Sequence, residues 1–80
     1  MKINVRYFGQ FRDITGLTEE EIETQDGVTV IELRDQIREK YPRIAAKREV
    51  LVAVNSTFTS LETVINSEDK VAFFPPVSGG

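Results

Sequence analysis

Residues 2–8 alternate in polarity, with Ile3, Val5 and Tyr7 on one side and Lys2, Asn4 and Arg6 on the other. A period of two is what a strand with one covered face requires, so the odd positions are predicted to face a core. Phe8 then continues the polar side, where a large aromatic has no core to enter. Residues 9–17 carry Gly9, Asp13 and Gly16 with isolated Phe11, Ile14 and Leu17. They read as a loop or short turn of helix pinned by those three apolar residues. Residues 18–24 hold a single strong apolar anchor, Ile22, among glutamates, which predicts an outer, solvated strand paired with the first.

Asp26-Gly27 is a turn signal, and the clearest helix start of the chain follows it. The Thr29 hydroxyl can accept from the Glu32 amide while the Glu32 carboxylate reaches back, and Val28 with Leu33 stands at the spacing of a hydrophobic staple. The helix should therefore begin at Val30. Its buried stripe is Val30, Leu33, Ile37 and Tyr41, with Arg34, Asp35, Arg38, Glu39 and Lys40 facing water. Pro42 excludes the α region for Tyr41 and ends the helix.

A basic connector with Arg43, Lys47 and Arg48 leads to Val50-Leu51-Val52-Ala53-Val54, apolar at every position. Such a run fits a strand covered on both faces, or one that offers a face to a partner. Asn55-Ser56 turns the chain, Thr57-Phe58-Thr59 reads as a short strand, Leu61 and Val64-Ile65 are expected to tuck in a second crossover, and residues 66–69 form a turn. The last strand is Lys70 to Phe74, with Val71 and Phe73 on one face and Ala72 and Phe74 on the other. There is no repeat, linker or low-complexity segment. The expected class is α+β, one sheet of about five strands on one main helix. The element order matches a ubiquitin-like β-grasp arrangement, although periodicity does not fix the order of strands within the sheet. The predicted division is a folded domain over 1–74 and an extended tail over 75–80.

Eighty residues suffice for one small domain, of a size that buries only about 60% of its unfolded surface, so stability should be modest without a partner. With 40% hydrophobic and 29% charged residues the chain belongs to the globular class. Ten basic and thirteen acidic residues leave a net charge of -3. The basic residues are scattered rather than striped, so no nucleic-acid footprint is expected, and any partner site should be basic rather than acidic. The sequence contains no Cys and no His. This removes thiol nucleophiles, disulfides, Cys/His metal sites and imidazole acid/base chemistry together, and makes catalysis by side chains of this chain unexpected. Glu19-Glu20-Glu21 reads as a solvated edge rather than a metal or acid/base site, and Arg43, Lys47 and Arg48 as solvated surface rather than an anion site. No stretch approaches the roughly 20 apolar residues of a membrane span, and a cytoplasmic protein is expected.

The candidate chemistry lies in Pro75-Pro76-Val77-Ser78-Gly79-Gly80, which follows two aromatics and carries no charge. The prolines have no amide hydrogen and a fixed φ, so the sheet ladder must stop and the chain leaves stiffened. Six residues then reach about 20 Å, enough to enter a pocket in another protein. Gly79 and Gly80 could pass a channel no wider than the backbone and present a carboxylate without hindrance. That carboxylate, with a pKa near 3.5, is ionised at neutral pH and a poor electrophile. Adenylation by ATP would make it a mixed anhydride, from which a sulfur donor leaves a thiocarboxylate or an enzyme cysteine takes the chain as a thioester. The first outcome is a sulfur carrier and the second a protein tag. Phe8 and Phe74 fall opposite the inferred core, and Phe58 sits in a segment that could join them if the sheet closes as expected; together they would form an exposed apolar patch beside the tail, which marks a protein interface.

The Val71-Ala72-Phe73-Phe74-Pro75-Pro76-Val77-Ser78-Gly79-Gly80 ending resembles that of the small subunits of molybdopterin synthase. Phe8-Gly9, Arg12-Asp13-Ile14-Thr15-Gly16 and Val54-Asn55 are similar to that family's first strand, first loop and fourth-strand approach. The resemblance implies a ubiquitin-like β-grasp fold and a sulfur carrier of molybdenum cofactor biosynthesis. An E1-like activating enzyme would adenylate Gly80 with ATP, and sulfur transfer would leave a Gly80 thiocarboxylate. The tail, Pro75 to Gly79, would insert into the large synthase subunit and deliver sulfur to cyclic pyranopterin monophosphate, giving molybdopterin. The complex implied is a heterotetramer in which Phe8, Phe58 and Phe74 meet the partner enzymes and the large subunit supplies the catalytic side chains of the sulfurtransferase. No cofactor or metal is expected on the chain itself. A thiamin-pathway sulfur carrier and a ubiquitin-like modifier conjugated through Gly80 are the alternatives.

Overall fold

The computed structural model describes residues 1–47 and 49–76. The elements run β1 (Lys2–Tyr7), α1 (Gln10–Thr15), β2 (Glu19–Glu23), α2 (Val30–Lys40), α3 (Pro42–Ala45), β3 (Leu51–Val54), β4 (Thr57–Phe58) and β5 (Lys70–Phe74). The five strands form one mixed sheet in the order β2-β1-β5-β3-β4. β1 and β5 lie side by side and parallel, while the other neighbours are antiparallel. This is the α+β, ubiquitin-like β-grasp arrangement, with α2 as its main helix. No helix among the described residues is long and apolar enough to cross a membrane.

Alternation decides which face is core. Ile3, Val5 and Tyr7 of β1, Ile22 of β2, Val52 and Val54 of β3, and Val71 and Phe73 of β5 are all buried. They meet Val30, Leu33 and Ile37 of α2, each fully buried, so the 3.6-residue stripe of the helix lies on the two-residue stripe of the sheet. The predicted capping box forms. The Thr29 hydroxyl accepts from the Glu32 amide at 3.3 Å and the Glu32 carboxylate accepts from the Thr29 amide at 2.9 Å. These contacts, the backbone one foremost, pull the Glu32 carboxyl below its usual range. Tyr41 turns extended at φ -123° and ψ 91°, and the helix ends as Pro42 requires.

Several expectations change. Residues 42–47 are more than a solvated connector: Pro42 opens the short helix α3, and Ile44 is fully buried. Arg48, the last residue of that basic run, lies outside the described residues. Arg34 and Arg38 are half-buried rather than facing water; Arg34 pairs with the exposed Asp35 at 3.3 Å, and Arg38 donates to the Ala45 carbonyl at 3.1 Å, tying α3 to α2. Leu17, Leu61 and Val64 are exposed rather than tucked in. In the 60s segment the backbone does the docking. The carbonyls of Leu61 and Thr63 accept from the Ile31 and Val30 amides at 2.9 Å, and the Ile65 amide donates to Val28 at 2.8 Å. The first two bonds satisfy amides that the first turn of α2 cannot pair internally, and Ile65 alone of this segment drives its side chain fully into the core.

Candidate functional site

The site is a consequence of register. Because β1 and β5 run parallel with Tyr7 opposite Phe73, the residues that follow, Phe8 and Phe74, are brought together on the face turned away from α2. Their rings stack at 4.5 Å between centroids. The antiparallel pairing of β3 with β5 puts Ala53 opposite Ala72, and that of β3 with β4 puts Phe58 opposite Ala53. Phe58 thereby meets Phe74 edge-on at 5.7 Å. The three aromatics predicted to share a patch do share one, and Phe58 is 63% exposed. The hairpin that delivers Phe58 turns through Asn55 and Ser56 at φ 52° and 70°, the two left-handed residues that a tight hairpin needs.

Between the aromatics the two alanines leave a slot. It has a volume of about 290 Å³ and is lined by Phe8, Phe58, Phe74, Ala53 and Ala72, together with the cations Arg6 and Lys70. The Arg6 guanidinium lies 5.7 Å from the centre of the Phe8 ring. Sequence reasoning passed over these two cations as ordinary polar-face residues. Their signal was the alternation itself, which places Arg6 with Phe8 and Lys70 with Phe74 on the same side of their strands.

Where the chain leaves the sheet, Gly9 and Pro75 follow Phe8 and Phe74 and lie against one another. Gly9 has φ 57° and ψ -134°, a conformation reserved for glycine. A Cβ there would stand 3.1 Å from Pro75 Cγ. The strand ends at Phe74, and Pro75 and Pro76 carry no strand pairing. The remaining tail residues, Val77, Ser78, Gly79 and Gly80, lie outside the described residues.

The Glu19-Glu20-Glu21 run divides more sharply than a solvated edge. Glu20 shares the inner side of β2 with Ile22, and its side chain is only 12% exposed. Its carboxylate accepts from Tyr7 Oη at 2.7 Å, Tyr41 Oη at 2.5 Å and Lys40 Nζ at 2.7 Å. Burial alone would raise its pKa, but the bonds from Lys40, Tyr41 and Tyr7 and the Lys40 charge outweigh that and lower it. Burial and the same carboxylate push Tyr41 up to about 12 and Tyr7 higher still. Every group here is taken by another, so the cluster clamps β2 to the end of α2 and is no acid/base site. Among the described residues no group of His, Cys, Asp or Glu is placed to hold a metal.

A ubiquitin-like domain whose last strand ends in an aromatic patch matches the model of the ThiS family over residues 5–80. The chain belongs to the ThiS family. Among its relatives there, the molybdopterin synthase sulfur carrier subunit of Mycobacterium tuberculosis is 44% identical over all of this chain and 99% of that protein. In structure, a putative molybdopterin converting factor subunit 1 from Pyrococcus furiosus superposes with a TM-score of 0.88 at 31% identity, covering 96% of this chain and 99% of that one. A subunit from the complex of subunits 1 and 2 of the Helicobacter pylori molybdopterin-converting factor superposes at 0.68 with 28% identity, covering both chains completely. This ThiS-family chain is thus a sulfur-carrier protein homologous to molybdopterin synthase small subunits, and the resemblance noted in its sequence extends over its whole length.

Proposed function

We propose that the chain is the sulfur-carrier small subunit of a molybdopterin synthase, donating sulfur without supplying catalytic side chains. The full-length 44% identity to a protein of that name carries the reading. The aromatic face beside Pro75 supports it further, because a carrier must be recognised next to the tail it delivers. In this reading residues 1–74 are the recognised domain and 75–80 the delivering arm.

The chemistry is set by the Gly80 carboxylate. An oxygen of that carboxylate attacks the α-phosphorus of ATP on an E1-like activating enzyme, pyrophosphate leaves, and an acyl-adenylate results. Sulfur at the level of sulfide then attacks the acyl carbon, AMP leaves, and a thiocarboxylate results. Pro75 and Pro76 direct the arm away from the sheet, Val77 and Ser78 span the gap, and Gly79 and Gly80 enter the large subunit. There the thiocarboxylate sulfur bonds to a carbon of cyclic pyranopterin monophosphate, and water cleaves the Gly80 acyl–sulfur bond, leaving the sulfur on the pterin and returning the carboxylate. A dithiolene contains two sulfurs, so two loaded carriers serve each molybdopterin, in keeping with a heterotetramer that holds a small subunit at each end. Phe8, Phe58 and Phe74 form the docking face.

Reconstitution tests it. The chain, loaded by its activating enzyme with ATP and a sulfur source and mixed with the large subunit, should convert the pyranopterin to molybdopterin and return to the plain carboxylate. The same mixture with Gly80 deleted should form none. Equal conversion by the deletion variant would overturn the reading.

A further inference from the structure

The slot on the outer face has an apolar floor and two exposed cations in its lining, and the two together specify what fills it. Ala53 and Ala72 make the floor, Phe8, Phe58 and Phe74 the walls, and Arg6 and Lys70, both exposed, stand at the rim. Glu19 lies directly across from Arg6 on β2, yet Arg6 leans the other way, over Phe8. Glu19 instead accepts from the Asn4 side chain at 3.2 Å. Among the described residues neither Arg6 nor Lys70 has a carboxylate within ion-pair distance. The outward glutamates of β2 sit on the far side of β1 from the slot. A chain of net charge -3 thus presents two unpaired cations at an apolar face, the reverse of what its overall charge implies about partners.

Resting on the carrier reading above, we propose that the slot receives a bulky apolar side chain of the partner protein with a carboxylate beside it, and that Arg6 and Lys70 hold this carboxylate. The apolar wall sets how long the complex lasts, and the two rim cations set how fast it forms and in which orientation. The aromatics alone would accept any greasy surface. The cations select an acidic one and align it so that the chain leaving Phe74 points into the partner.

The experiment is binding kinetics between the full chain and the large subunit of the same organism, at low and high salt. Arg6→Glu with Lys70→Glu should slow association about tenfold at low salt and flatten its salt dependence. Arg6→Gln with Lys70→Gln should fall between, and avoids placing a like charge opposite Glu19. Phe74→Ala should instead speed dissociation. If the glutamate pair speeds association, the partner surface is basic, as net charge alone would have it, and the proposal is wrong. Unchanged association in both pairs, with Phe74→Ala still weakening binding, removes the carboxylate and leaves the docking face. No effect of Phe74→Ala on a wild-type complex removes the docking face itself. Self-association of the chain that the glutamate pair abolishes, with the large subunit unaffected, would assign the slot to a second copy and also overturn the proposal.

Discussion

Phe8 and Phe74 stack nearly face to face, with 13° between their planes, although one directly follows the first strand and the other ends the last. The parallel register of β1 and β5 makes this contact unavoidable, and it puts an aromatic surface at the point where the chain leaves the sheet. Neither ring serves the core, which lies on the opposite face. Phe74→Ala should therefore leave the fold intact and weaken binding to the large subunit by about 1–3 kcal/mol, as expected of a central contact. Its neighbour Phe73, fully buried, should behave in the opposite way, with Phe73→Ala costing about 3–5 kcal/mol of stability. Calorimetric titration and thermal melts on both variants separate the two roles.

Gly9→Ala is expected to destabilise the domain by about 1–3 kcal/mol, because Gly9 occupies a backbone region that residues with a Cβ avoid. The added methyl must also displace Pro75. Partner affinity should then fall by more than stability predicts, since the exit of the tail is re-aimed. A melt and a binding isotherm on the same sample check this.

Acid should loosen the clamp at Glu20. Its folded pKa lies below the ordinary glutamate value, so the folded state binds this proton less readily than the unfolded state does. The associated stability is present above about pH 4.3 and is lost as pH falls through the folded pKa. Glu20→Gln should cost about 2 kcal/mol at neutral pH, since the amide cannot accept all three donors. The variant should also lose less stability than wild type on acidification from pH 6 to 3. Denaturant titrations across that range give both quantities.

At the hairpin, Ser56 has φ 70°, where glycine is favoured over any residue with a Cβ. Ser56→Gly creates the Asn-Gly turn that best suits two linked left-handed residues and should add about 1 kcal/mol. A higher melting temperature with affinity for the large subunit unchanged would bear this out.

Much of this architecture was legible in the chain. Alternation identified the inward residues of β1 and β5, the Thr29–Glu32 box located the start of α2, and Asn55-Ser56 marked the hairpin. The aromatics on the wrong face of their strands were visible as such before their contacts were. What was not legible depends on partners distant in sequence. Glu20 looks solvated until Tyr7, Tyr41 and Lys40 converge on it, although its position two residues from Ile22 placed it on the inner face. Ile44 is one apolar residue in a basic run, too short a segment for periodicity to speak. Leu61 and Val64 carried the expected hydrophobicity, but it was their segment's carbonyl groups that the helix needed. The two cations come onto one face only when strand order sets β1 beside β5, with Arg6 opposite Ala72 and Lys70 opposite Asn4.

The central claim is that Gly80 carries sulfur, and the mass of the intact chain tests it most directly. Protein purified from its native host should contain a fraction in which one oxygen is replaced by sulfur, and deletion of Gly80 should abolish that fraction. Finding only the unmodified carboxylate under conditions where molybdopterin is being made, or only adducts linked to lysines of other proteins, would contradict the account.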